Sequence, residues 1–113
     1  MSKRLRQMLD KHAKKIFEEN INKMIPYYLM ASYAYYKQDN PIFSDAFFDE
    51  MAKTMHKRWD EIEHYHKELI NKDDLLAGSY LGKYPSIVEG ALASLRDKYY
   101  TKSGKLRKTP KKI

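Results

Sequence analysis

This sequence predicts an all-α fold, a small bundle or helical hairpin of about four helices, and three observations lead there. Apolar residues recur at intervals of three and four over long stretches, which is the spacing of a helix face. Helix-start signals precede two of those stretches, "DNP" at 39–41 and "SIVE" at 86–89. No segment needs a strand to explain its pattern, and no internal repeat is present.

The first two helices are expected over 3–24 and 27–37. Ala13, Phe17, Asn20, Met24, Tyr28, Ala31 and Tyr35 fall on one face. Pro26 interrupts this run, but the face stays in register across it, so a kink or short break is expected and not a new direction. Asn40 as a cap and Pro41 at the first helical position would open a third helix over 42–71. Its inward face would be Phe47, Phe48, Met51, Met55, Ile62, His66 and Leu69, and about 30 residues would make it roughly 45 Å long. "LLAGSYLGKYP" at 75–85 then breaks helicity with two glycines and a proline. Ser86 and Glu89 form a capping box for a fourth helix over 86–100, with Ala91, Leu92 and Leu95 inward and Gly90 a local weakness. From Thr101 apolar periodicity stops, which predicts a disordered basic tail over 101–113 beside one helical domain over 1–100.

Composition narrows the function classes. A chain of 113 residues is one domain by length. The absence of cysteine excludes disulfides, thiol catalysis and zinc-finger sites. No apolar run approaches the ~18 residues of a membrane span. The basic N-terminus lacks the apolar block of a secretory signal, so the cytoplasm is the default compartment and no membrane partner is expected. The net charge of +7 is unevenly placed: residues 1–95 hold 14 basic and 14 acidic residues, while 96–113 hold eight basic residues and Asp97. Basic ends suit a polyanion as well as simple solubility. The candidate nucleic-acid contacts are Lys98, Lys102, Lys105, Arg107, Lys108, Lys111 and Lys112, with DNA as the partner.

The stretch "YYKQDNPIFSDAFFDEM" (35–51) concentrates rings and carboxylates at one corner. Tyr35 and Tyr36 lie in the last turn before it, and Asp45, Phe48 and Asp49 share one side of the next helix. Two explanations fit this pattern without any ligand. Carboxylates in a first turn answer the helix dipole, and aromatic residues wedge helix hairpins.

The longer stretch "YAYYKQDNPIFSDAFFDEM" resembles the N-terminal subdomain of NAD-dependent DNA ligases. There a tyrosine-rich helix end and a "D-x-P" corner lead into "I-S-D-x-x-Y-D-x-L". The matching residues are Tyr35, Tyr36, Asp39, Pro41, Ser44, Asp45, Phe48, Asp49 and Met51. "HKELINKD" (66–73) is similar to the family's "H-P-E-L-x-x-x-D", and the resemblance covers about residues 29–73. It implies a site for the nicotinamide mononucleotide half of NAD. Tyr35 and Tyr36 would be the ring partners, Asp45 and Asp49 the polar contacts, and Phe48 would stand where the family has tyrosine. Lys67 replaces the family's proline, and "KQDN" (37–40) lacks the glycine of the ligase "K-x-D-G" nucleophile motif. A chain of this length has no room for the large nucleotidyltransferase domain, so sealing of nicks by this chain alone is not expected.

A second stretch pair, "INKMIPYYLMASYAYY" with "WDEIEHYHKEL", resembles the first two helices of ferritin-like proteins. It offers two E-x-x-H readings, Glu61–His64 and Glu63–His66, but no acid in Met24–Ala31 for the first-helix ligand. The expectation is therefore a non-catalytic, DNA-ligase-related accessory module. It would bind NAD or nicotinamide mononucleotide, or serve a DNA-processing protein partner. The alternatives are a small nucleic-acid-binding or protein-interaction protein using its basic ends, and, less favoured, a ferritin-like metal binder.

Overall fold

The computed structural model describes residues 3–77 and 84–99. It is all-α: the described residues contain helices α1 (Lys3–Glu19), α2 (Met24–Tyr36), α3 (Asp45–Lys57), α4 (Asp74–Ala77) and α5 (Ser86–Tyr99), joined in part by short 3₁₀ turns. The buried side chains form one cluster from Leu5 in α1 to Leu92 in α5. The basic tail expected over 101–113 lies outside the described residues.

Helix α1 buries Leu5, Leu9, Ala13 and Phe17, one residue per turn. It stops at Glu19, short of the expected residue 24. Asn20 is extended (φ −155°, ψ 100°), and its side chain accepts from the Asn22 N–H at 3.1 Å, opening a 3₁₀ turn over Ile21–Lys23. The chain reverses here. Arg6, near the start of α1, donates its Nε–H to the Pro41 carbonyl beyond the far end of α2, at 3.2 Å. Phe17, near the end of α1, meets Tyr27 edge-on at 5.6 Å. The expected continuation through Pro26 without a new direction is therefore corrected. A straight helix over 3–36 would measure about 50 Å, against a longest dimension of 40 Å. Pro26 sits in the first turn of α2, where its missing N–H costs nothing. Asn20, expected on the buried stripe, is exposed.

Helix α2 is apolar on nearly all sides and buries Met24, Ile25, Tyr28, Leu29, Met30, Ala31, Ser32 and Ala34. It contacts both α3 and α5. Ser32 is wholly buried but satisfied, its hydroxyl 2.7 Å from that of Tyr84. The helix ends through Asp39, whose φ of 49° is left-handed, and the Asn40 N–H reaches back to the Ala34 carbonyl at 2.9 Å. "DNP" thus terminates α2. The expected cap at Asn40 gives way to Ser44, whose hydroxyl accepts from the Phe47 N–H at 3.2 Å and starts α3 at Asp45. Ile42 and Phe43 are pinned in the core between the two helices.

Helix α3 ends at Lys57, so the expected helix over 42–71 is less than half that length. Roughly 45 Å of straight helix does not fit a 40 Å molecule. The chain passes instead through 3₁₀ turns at Trp59–Glu61 and Lys67–Leu69, with Ile62 and Ile70 extended and buried. The Glu63 N–H donates to Asn22 Oδ1 at 2.8 Å, tying this segment to the α1–α2 turn. In α5, Val88 and Leu92 are buried, Leu95 is partly buried, and Ala91, expected inward, is exposed.

Asp10 of α1 holds the start of α3. Its carboxylate accepts from the Ser44 hydroxyl at 2.6 Å and from the Ser44 N–H at 3.1 Å. Hydrogen bonds to a charged group contribute about 1.5–3 kcal/mol. Asp10→Ala is expected to lower unfolding free energy in urea by about 2 kcal/mol, and Asp10→Asn, which keeps an acceptor, by less.

His64 Nδ1 accepts from the His66 N–H at 3.0 Å, closing a turn like that made by an asparagine. Burial, then His66, then Lys23, hold the His64 imidazole below its ordinary pKa. The fold therefore favours the neutral ring, and stability falls as pH drops below the ordinary value of about 6.5 and the unfolded chain takes up the proton first. His64→Asn keeps the turn without titrating. Comparison of melts at about pH 7.5 and 5.5 should show a smaller loss for the variant than for the parent chain.

Candidate functional site

The end of α2 and the start of α3 enclose a cleft of about 270 Å³, lined by Tyr28, Tyr35, Tyr36, Asp45, Phe48, Asp49, Ala52 and Leu75. All five residues singled out at the sequence level, Tyr35, Tyr36, Asp45, Phe48 and Asp49, line this one space. Its volume lies just under the ~300 Å³ at which small-molecule pockets begin, suited to a single ring and its immediate substituent.

The rings are ordered by packing that begins in the core. Buried Tyr28 lies nearly parallel to Phe48 (5.5 Å, 19°), and Phe48 nearly parallel to Tyr35 (6.3 Å, 13°). Tyr36 stands edge-on to Tyr35 at 4.9 Å and 78°. Phe48 thus has tyrosines on both sides and acts as a wall, while Tyr35 and Tyr36 are 45% and 41% exposed and can offer surface to a ligand. Partial burial, then neighbouring Tyr35, push the Tyr36 phenol above its ordinary pKa, so it is protonated at neutral pH.

Two exposed carboxylates face the rings. Asp45 is the first residue of α3 and Asp49 stands one turn later. Asp49 is paired with Lys53 at 2.9 Å, both well exposed, so this bond is weak and readily exchanged. Aromatic surface beside two carboxylates attracts a flat, cationic group.

The corner joining the two helices is clamped from outside. Arg96 of α5 donates through Nη2 to the Gln38 side-chain oxygen at 2.8 Å and to the Asn40 carbonyl at 2.7 Å. Arg6 and Asp10 hold Pro41 and Ser44 from α1. Neither this clamp nor the lining by Leu75 was legible in the local sequence. Tyr28 and Ala52 left a signal, lying two turns before Tyr35 and one turn after Phe48.

The other expected sites fare differently. Of the candidate nucleic-acid contacts, Lys98 lies in the last turn of α5; Lys102, Lys105, Arg107, Lys108, Lys111 and Lys112 lie outside the described residues. Both E-x-x-H readings fail as helical ligand pairs, because Glu61 ends a 3₁₀ turn and Ile62–His64 is not helical. Among the described residues no three His, Asp or Glu side chains gather as metal ligands. No described helix is long and apolar enough to cross a membrane. In comparison with known proteins, the chain matches no family model, no curated protein and no solved structure.

Loss of the Arg96 clamp should loosen the corner before it unfolds the molecule. Arg96→Ala is expected to cost about 1–3 kcal/mol and to speed hydrogen exchange at the Gln38 and Asn40 amides more than at Leu29 in the middle of α2.

Proposed function

We propose that this chain is a non-catalytic nucleotide-recognition module, related to the N-terminal subdomain of NAD-dependent DNA ligases and serving DNA processing. Its cleft would take the nicotinamide end of NAD or nicotinamide mononucleotide. The observation that carries the reading is the convergence of Tyr35, Tyr36, Asp45, Phe48 and Asp49 on one cleft of about 270 Å³. Nicotinamide in these nucleotides is a flat cationic ring. It would lie on the exposed tyrosines, with its charge balanced by Asp45 and Asp49. The Tyr36 hydroxyl, protonated at neutral pH, is a donor for the ring's amide oxygen or for the ribose. Apolar Phe48, Ala52 and Leu75 keep water from the ring's inner edge.

Titration with nicotinamide mononucleotide, followed by amide signals, tests this. Shifts should centre on Tyr35, Tyr36, Asp45 and Asp49. Asp45→Asn, which keeps the shape and removes the charge, should weaken binding roughly tenfold, or about 1.4 kcal/mol. The uncharged, reduced nicotinamide ring should bind more weakly than the oxidised one. An absence of shifts at millimolar ligand would leave the corner as packing alone.

A further inference from the structure

We infer that the outer face of α1 is a second binding surface, independent of the cleft, for the phosphate backbone of duplex DNA. Leu5, Leu9, Ala13 and Phe17 turn one side of α1 into the core. At 100° per residue Arg4, Lys11 and Lys15 lie opposite this stripe and Lys3 and Lys14 on the flank beside Phe17, the five spread over about 18 Å of helix. All five are exposed. The ion pairs Lys53–Asp49 and Arg58–Glu61 lie away from this face. Glu18, one turn after Lys14, lies on the same face, and with Asp10 and Glu50 it lines a recess that Lys11 and Lys14 border. The charges of the molecule are also segregated. Residues 3–23 hold seven Lys and Arg against three Asp and Glu, whereas 39–77 hold five against ten. A field of this kind attracts a polyanion to one side and repels it from the other.

The chemistry of the face selects among polyanions. A protein partner needs exposed apolar anchors to desolvate; Met8 on this face is 42% exposed, and of the apolar residues that line the recess with Lys11 and Lys14, Phe17, Met24 and Met51 are buried and Phe47 is half-buried. A single strand is held chiefly by bases stacking on exposed aromatic rings, and the rings that line the recess with Lys11 and Lys14, those of Phe17 and Phe47, are buried and half-buried. An anionic membrane takes up an amphipathic helix by its apolar side, and that side of α1 is committed to the core. A duplex backbone requires only a rigid row of cations, and it presents one phosphate charge per ~1.7 Å of axis. Recognition of this kind is indifferent to base sequence.

Binding of the full chain to a short DNA duplex, measured against salt, tests the assignment. Five contacts give a slope of log affinity on log salt of about −4.5, or roughly a 500-fold loss between about 50 and 200 mM. Contacts from the tail would add to this slope. Lys11→Gln, Lys14→Gln and Lys15→Gln together should reduce the slope by about 2.7 with or without a tail contribution. The helix content and melting temperature should stay unchanged, because the three side chains are exposed. A control of equal charge, Lys37→Gln with Lys57→Gln and Lys72→Gln, should leave the slope nearly intact. The inference is overturned by equal effects of the two triple variants, which would mean that only net charge matters. It is equally overturned by an unchanged slope in the α1 variant, by no duplex binding at low salt, or by stronger binding to anionic vesicles or single strands than to duplex. Nicotinamide mononucleotide binding by the α1 variant should match the parent chain, so failure here and failure of the cleft reading are separable.

Discussion

Helix α2 can be left in water on almost no side. Eight of its thirteen residues are buried, and they point in every direction around the helix axis. Such a helix is stable only when other elements surround it, and each other part of the molecule is placed by that requirement. Helix α1 turns back at Asn20 and the 3₁₀ turn to cover it, α3 follows after the corner, and α5 arrives from the far end of the chain to close another side. The irregular segment after α3 contributes Ile62 and Ile70 to the same core without remaining helical.

Because α2 is enclosed, the chain must leave it abruptly, and the polar interactions of the fold concentrate at that exit. Asp39 takes the left-handed conformation, Asn40 returns its N–H to Ala34, and three side chains from other helices hold the next residues. Arg96 and Arg6 donate to the Asn40 and Pro41 carbonyls of the connecting segment, and Asp10 fixes the serine that caps α3. The arginine donors satisfy carbonyls of the corner, and the carboxylate holds the cap of a helix N-terminus. The candidate cleft therefore adjoins a corner held by side chains from α1 and α5. The direction of α3, and with it the positions of Asp45, Phe48 and Asp49, is set by Ser44 and its partner on α1.

The sequence carried the all-α class, Ala13 and Phe17 of the buried stripe of α1, and five of the residues that line the cleft, because each depends on residues one or two turns apart. It misled wherever a seven-residue spacing had two explanations. Met55 and Ile62 fit one face of a continuing helix, but they fit equally well a helix that ends at Lys57 and an extended residue that returns to the core. Phe17 and Met24 likewise keep helical register across a reversal of the chain, so periodicity could not report the turn at Asn20. The local signal there was Asn20 itself, a good cap followed by two residues before Lys23. "DNP" was ambiguous for a different reason: residues that start helices also stop them. The Arg96 clamp joins positions more than fifty residues apart, and no local pattern reaches that far.

The aromatic stack connects the core to the candidate site mechanically. Tyr28 is held by burial, Phe48 lies against Tyr28, and Tyr35 lies against Phe48, so each ring further out inherits its orientation from the one beneath. Tyr35 and Tyr36 are nearly half exposed, and the inner face of Tyr35 rests on Phe48. A flat ligand, were it to dock there as proposed, would spend less energy on ordering Tyr35 than on ordering a ring without such packing. The same design explains why phenylalanine suits position 48. Its apolar ring carries the packing from Tyr28 to Tyr35, while Asp45, Asp49 and Tyr36 supply the polar groups that line the cleft.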